Sequence, residues 1–122
     1  MNLLLVDDDA DIRLVARMAL KRSGFTVTAV DNGAAAIAAV RASPPDVILL
    51  DWMMPEMDGP EVCRRLKEDP VLRVVPVIFL TARSQSAEIA RGLALGAAGY
   101  IVKPFDALTL GDEVRKLLGH VA

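Results

Sequence analysis

Five polar side chains in this sequence stand where apolar runs stop. Asp7 and Asp8 follow Leu3–Val6, Asp51 follows Val47–Leu50, Thr81 follows Val75–Leu80 and Lys103 follows Tyr100–Val102. If they meet, three carboxylates share a small volume. Two carboxylates ~4 Å apart repel by about 4 kcal/mol at an effective dielectric of about 20, so one must be protonated or a cation must join them. Hard oxygen donors without His or Cys suit Mg²⁺, which retains waters and works beside phosphates. The Lys103 ammonium and Thr81 hydroxyl are donors matched to phosphoryl oxygens. At the ordinary aspartate pKa, Asp51 is expected to be ionised near neutrality and to need no general base to act as a nucleophile. Phosphoryl transfer asks mainly for positioning and charge neutralisation, which this set supplies.

The elements that must position these groups follow from hydrophobic periodicity. Leu3–Val6, Phe25–Val30, Val47–Leu50, Val75–Leu80 and the shorter Tyr100–Val102 read as strands. Between them lie stretches with helical spacing. Asp11–Ser23 carries Ile12, Val15, Ala16, Ala19 and Leu20 on one face and Arg13, Arg17 and Lys21 on the other. Asn32–Arg41 is rich in alanine, and Pro60 suits the first turn of a helix running through Glu68. Ser86–Leu95 is ended by Gly96, and Leu108–Leu118 is followed by Gly119. Five alternations predict an α/β domain, a doubly wound five-stranded parallel sheet of flavodoxin-like order 2-1-3-4-5 with helices on both faces. In such sheets ligands bind beyond the carboxyl ends of the strands, near the reversal of strand order. All five polar groups fall on that edge.

Composition removes other classes. The 122 residues suit one domain, taken here as 1–122, with 53 % hydrophobic and 25 % charged residues. One cysteine, Cys63, excludes a disulfide framework and a cysteine zinc site, and the lone His120 argues against a histidine metal centre or a Ser–His hydrolase. A net charge of −2 and 4 % aromatics give no basis for direct nucleic-acid or anionic-membrane binding. No apolar run is long enough to span a bilayer, so a cytoplasmic protein is expected. Met1, just before the first strand, is expected to be a natural start, either of a stand-alone protein or of a domain from a longer one.

Each residue also has a plainer role available. The acidic run Asp7-Asp8-Asp9-Ala10-Asp11 precedes a helix, where carboxylates cap free N–H groups, and capping accounts for Asp9 and Asp11. Cys63 reads as a small buried hydrophobe, and Arg64, Arg65 and Lys67 as a solvated helix face. Asp51 could open a turn, Thr81 could cap a helix, and Lys103 could be solvated. Their convergence on one sheet edge favours the chemical reading.

Five segments, in order, resemble a response-regulator receiver domain over essentially the whole chain. They are Leu3-Leu4-Leu5-Val6-Asp7-Asp8-Asp9, Pro45-Asp46-Val47-Ile48-Leu49-Leu50-Asp51, the continuation Trp52-Met53-Met54-Pro55-Glu56-Met57-Asp58-Gly59, Val77-Ile78-Phe79-Leu80-Thr81-Ala82, and Gly99-Tyr100-Ile101-Val102-Lys103-Pro104-Phe105. The resemblance implies a phosphorylation-activated signalling switch in a two-component system. Asp51 would take a phosphoryl group from a histidine kinase or histidine phosphotransfer protein. Asp8, Asp51 and the Met53 carbonyl would ligate Mg²⁺, with Asp7 bound through water. Thr81 and Lys103 would hold the phosphoryl oxygens, Ala82 would leave access, and the Lys103–Pro104 bond would be cis. Tyr100 would turn inward as Thr81 moves toward the phosphate, remodelling the face of the fourth helix, fifth strand and fifth helix. That face would meet an unknown output protein or domain, or a second copy as a homodimer. Arg13, Leu14 and Arg17 border the site where family kinases dock.

Two departures bear on this. Pro60 follows Gly59 where a bulky apolar residue is usual in the family. Met53 and Arg83, two residues beyond Asp51 and Thr81, flank the path of hydrolytic water, so a bulky Met53 is expected to slow phosphoryl loss. The rival readings are a haloacid-dehalogenase-type phosphatase and a degenerate receiver serving only as an interaction module. The phosphatase needs an acid two residues after its nucleophile, where this chain has Met53. The degenerate reading is disfavoured because Asp7, Asp8, Asp51, Thr81 and Lys103 are all present. A flavin module is weaker still, for want of a phosphate loop after the first strand. The chain is thus expected to be a phosphoacceptor rather than an enzyme acting on substrates.

Overall fold

The computed structural model describes residues 1–82 and 86–119. Arg83 and His120 lie outside the described residues. The elements are β1 (Asn2–Val6), α1 (Ala10–Arg22), β2 (Thr26–Val30), α2 (Gly33–Ala42), β3 (Val47–Asp51), α3 (Gly59–Glu68), a short 3₁₀ turn (Leu72–Val74), β4 (Val77–Thr81), α4 (Ser86–Ala94), β5 (Gly99–Val102) and α5 (Leu110–Gly119). The strands form one parallel sheet in the order β2-β1-β3-β4-β5. The expected doubly wound order is therefore the observed one.

Side chains alternate across a strand, so each run of apolar residues supplies two cores. Leu4, Val6, Ile48, Leu50, Val77 and Phe79 face Ala36, Ile37 and Val40 of α2 and Val62, Cys63 and Leu66 of α3. Leu3, Leu5, Val47, Leu49, Ile78, Leu80 and Ile101 face Ala16, Ala19 and Leu20 of α1 and Leu110 and Val114 of α5. This two-sided burial explains why β3 and β4 are buried at every position.

Caps fix where the helices begin. Asp9 accepts from the Asp11 and Ile12 N–H groups at 2.9 and 3.2 Å, Asn32 from Ala35 at 2.8 Å, and Asp58 from Glu61 at 3.0 Å. Two boundaries differ from expectation by more than one residue. Strand β4 starts at Val77 rather than Val75, because residues 72–74 close a 3₁₀ turn and the Val75 N–H bonds the Leu72 carbonyl at 3.1 Å. Helix α5 starts at Leu110 rather than Leu108, because Asp106 first gathers the N–H groups of Leu108, Thr109 and Leu110 into a turn. Lys67 also departs from the solvated face read for it. Its ammonium donates to the Arg73 and Val75 carbonyls at 2.9 and 3.1 Å, tying α3 to that 3₁₀ turn.

Candidate functional site

The register of the sheet places the polar groups side by side. Val6 pairs with Leu50, Asp51 with Leu80 and Thr81 with Val102, so Asp7, Asp51, Thr81 and Lys103 end neighbouring strands at one edge. Asp7, Asp51 and Thr81 are the buried polar or charged residues among those described, 0, 5 and 4 % exposed. Asp8 is exposed at the mouth. Among the described residues, Asp7, Asp8 and Asp51 each bring a carboxylate oxygen within 4.8 Å of the others.

Lys103 is the positive charge at the centre. Its Nζ donates to Asp7 Oδ2 at 2.8 Å and to Asp51 Oδ1 at 3.0 Å. Burial alone would lower the Lys103 pKa, but its bonds to Asp7 and Asp51 outweigh that and hold it above the ordinary lysine value. The peptide bond to Pro104 is cis. The other Asp7 oxygen accepts from the Asp9 N–H at 2.9 Å, and Arg13 Nη1 donates to the Asp7 carbonyl at 2.9 Å. That second bond gives Arg13 a role in shaping the loop, which its position on the helix did not disclose.

Asp51 is poorly neutralised. Burial, and secondarily the charge of Asp7, raise its pKa from an ordinary 3.8 to about 7 against the opposing pull of Lys103. A carboxylate so placed lacks positive charge. The three-oxygen cluster, hard donors throughout and without a nitrogen or sulfur ligand, fits a divalent cation such as Mg²⁺.

Behind Asp51, α3 closes directly on the strand end. The Gly59 N–H donates to the Trp52 carbonyl at 3.0 Å, and a Cβ on Gly59 would collide with the Asp51 carbonyl and lie 3.0 Å from the Trp52 Cα. Only glycine permits this approach, a requirement that the motif contains but spacing alone does not explain. Glu56, in the same loop, adopts φ of 68°, a left-handed conformation unusual for a side chain of its size. Met53 carries its side chain 60 % exposed beside the mouth.

Tyr100 is 40 % exposed on β5 and is not part of the buried core. It lines an apolar pocket under α4 together with Thr81 and Trp52. Trp52 is itself buried, its ring edge-to-face with Phe79 at 4.8 Å between centroids. Cys63 is fully buried, and burial raises its thiol pKa, as befits a small hydrophobe.

Comparison with known proteins decides the family. Residues 3–115 match the response regulator receiver domain. The chain belongs to this family. The receiver is 42 % identical over 124 residues to the transcriptional regulatory protein CseB of Streptomyces avermitilis, covering 99 % of this chain and 52 % of that protein. It is 38 % identical over 117 residues to the phosphate regulon transcriptional regulatory protein PhoB of Rhizobium meliloti, covering 96 % of this chain and 52 % of that one. It thus spans about half the length of the curated relatives it matches. Among solved structures, the chemotaxis response regulator CheY4 of Vibrio cholerae matches at a TM-score of 0.89 and 30 % identity, over 95 % of this chain and 97 % of that one. Among the described residues, no helix of the receiver is long and apolar enough to cross a membrane.

Proposed function

We propose that the receiver takes a phosphoryl group onto Asp51 from a phosphohistidine of a histidine kinase or phosphotransfer protein, and acts as a switch rather than as an enzyme on substrates. The observation that carries this reading is the single ammonium of Lys103 held between two buried carboxylates, Asp7 and Asp51. In the transfer, an Asp51 carboxylate oxygen forms a bond to phosphorus as the phosphorus–nitrogen bond of the donor breaks. The imidazole leaves with the electron pair. Lys103 and the Thr81 hydroxyl would then donate to the phosphoryl oxygens, and Ala82, exposed beside Thr81, leaves the approach open. Asp7, Asp8, Asp51 and the Met53 carbonyl would hold Mg²⁺, which supplies charge neutralisation for the phosphoryl oxygens when bound.

The output is a shift between two states, driven by the difference in affinity of each state for the phosphoryl group. Thr81 moving toward the phosphoryl oxygens frees room for Tyr100 to turn in. The face of α4, β5 and α5 then changes its shape toward a partner protein, an attached domain or a second copy. Direct contact with nucleic acid or membrane has no part in this reading, and the site of action is the cytoplasm. The exposed Arg17 and Leu14 of α1, with Arg13, would border the incoming kinase.

The test is incubation with Mg²⁺ and acetyl phosphate, following intact mass and Trp52 emission. The expected result is a gain of one phosphoryl group that Asp51→Asn abolishes. A gain that persists in Asp51→Asn would identify another acceptor, and no gain would favour an interaction module. Met53→Asn is expected to shorten the phosphoryl lifetime, and an unchanged decay rate would remove Met53 from the hydrolytic path.

A further inference from the structure

Tyr100 can turn inward only if there is somewhere to go. The apolar pocket between α4 and the sheet, lined by Trp52, Phe79, Thr81, Ile89, Gly92 and Tyr100 itself, holds about 10 Å³ of free space. That is room for one water at most and far too little for a phenol ring. The size of the pocket is set by how closely α4 approaches the sheet, and that approach is made at Gly92. A Cβ there would lie 3.2 Å from both Phe79 Cδ2 and Trp52 Cζ3.

Neither ring has an easy retreat. Phe79 is 1 % and Trp52 9 % exposed, both belong to one core cluster, and they brace each other edge-to-face at 66°. On the outer side, the Arg91 guanidinium lies 6.0 Å from the centroid of the Trp52 ring. Among the α4 residues whose burial is described, Gly92 is the sole buried one. Gly92 stands in the last turn of α4, two residues before its end, where alanine would still favour the helix more than glycine. Its burial against the two rings ties it to this contact.

We propose that Gly92 is the seat of α4: it lets the helix lie down on the Trp52–Phe79 pair and thereby keeps the pocket closed to Tyr100 in the resting state. Trp52 directly follows Asp51, and Phe79 stands two residues before Thr81. The two rings under the seat are therefore carried by the two strand ends that bear the acceptor and its hydroxyl. Gly92, with Arg91 as the outer strap, is a positioning residue for the switch and touches no phosphoryl group. This inference rests on the switch reading given above.

Tyr100 is the sole tyrosine, so 3-fluorotyrosine labelling gives one ¹⁹F resonance that reports its two positions. Wild type is expected to show the outward resonance alone and to move inward with Mg²⁺ and beryllofluoride. Gly92→Ala lifts α4 and is expected to raise the inward population about fivefold without beryllofluoride. An unchanged resonance in Gly92→Ala overturns the seat while leaving the switch intact. If Gly92→Ala does not fold, the exposed Arg91→Ala decides: about a twofold rise supports the proposal and none overturns it. A wild-type resonance indifferent to beryllofluoride overturns the switch reading itself, and the seat with it.

Discussion

Helices α3 and α4 lie on the same side of the sheet and are held in opposite ways. In α3, Gly59, Pro60, Val62, Cys63 and Leu66 are buried, and the helix starts against the backbone of Asp51 and Trp52. In α4, Gly92 is the one buried residue among those whose burial is described, while Leu93 is 50 % exposed. The element that fixes the acceptor is built into the core. The element bordering the output face has, among the residues whose burial is described, one buried position. Segments that move in switching are drawn from the weakly held end of a structure, and this receiver separates the two ends across one sheet face.

The contrast breaks if glycine replacement has equal effects at both helices. Gly59→Ala drives a Cβ into backbone that cannot yield and is expected to destabilise by about 3–4 kcal/mol in urea unfolding. Gly92→Ala is expected to change stability by less than about 1 kcal/mol, since its squeezed contact is offset by better helix propensity. Comparable losses would show α4 to be core. Side-chain truncation sharpens the point: Leu66→Ala should cost about 3 kcal/mol, and Leu93→Ala no more than about 0.5.

The firmly held end also carries an electrostatic burden. With its pKa raised to about 7 in the folded state, Asp51 binds its proton more tightly there than in the unfolded chain. Metal-free stability should therefore fall as pH rises from about 4 to about 7, and Asp51→Asn should remove that slope. At neutral pH the substitution is expected to stabilise the metal-free protein by about 2 kcal/mol. A thermal unfolding series across pH, with and without Mg²⁺, checks the sign. The smallest effect belongs to the exposed Glu61–Arg64–Arg65–Glu68 network on α3. Arg64 and Arg65 hold the Glu61 pKa down to about 2, so any contribution is present at neutrality and lost only as pH falls through that value. Arg64→Ala should leave the unfolding midpoint nearly unchanged in high salt. A large shift would make that network part of what fixes α3.

Much of this architecture was legible because a strand buried on both faces must be apolar throughout. Val47–Leu50 and Val77–Leu80 announce themselves in that way, and whatever polar residue ends such a run must lie at the sheet edge. What stayed hidden depends on what lies opposite. A glycine's sequence neighbours do not reveal a carbonyl under Gly59 or two rings under Gly92. Lys67 looks like any helix lysine until the 3₁₀ turn brings two carbonyls to it. The fourth strand starts at Val77 and not at Val75 for the same reason, since the Val75 N–H bonds the Leu72 carbonyl to close that turn.

The Lys103 tether spans 96 residues to Asp7 and 52 to Asp51. A chain emerging from the ribosome makes the acceptor long before it makes the ammonium. Until β5 docks on β4, Asp7 and Asp51 lack the ammonium that lies between them. Completion of the site is therefore a late event of folding, and a nascent or clipped chain lacking β5 would carry the nucleophile without the grip needed to use it.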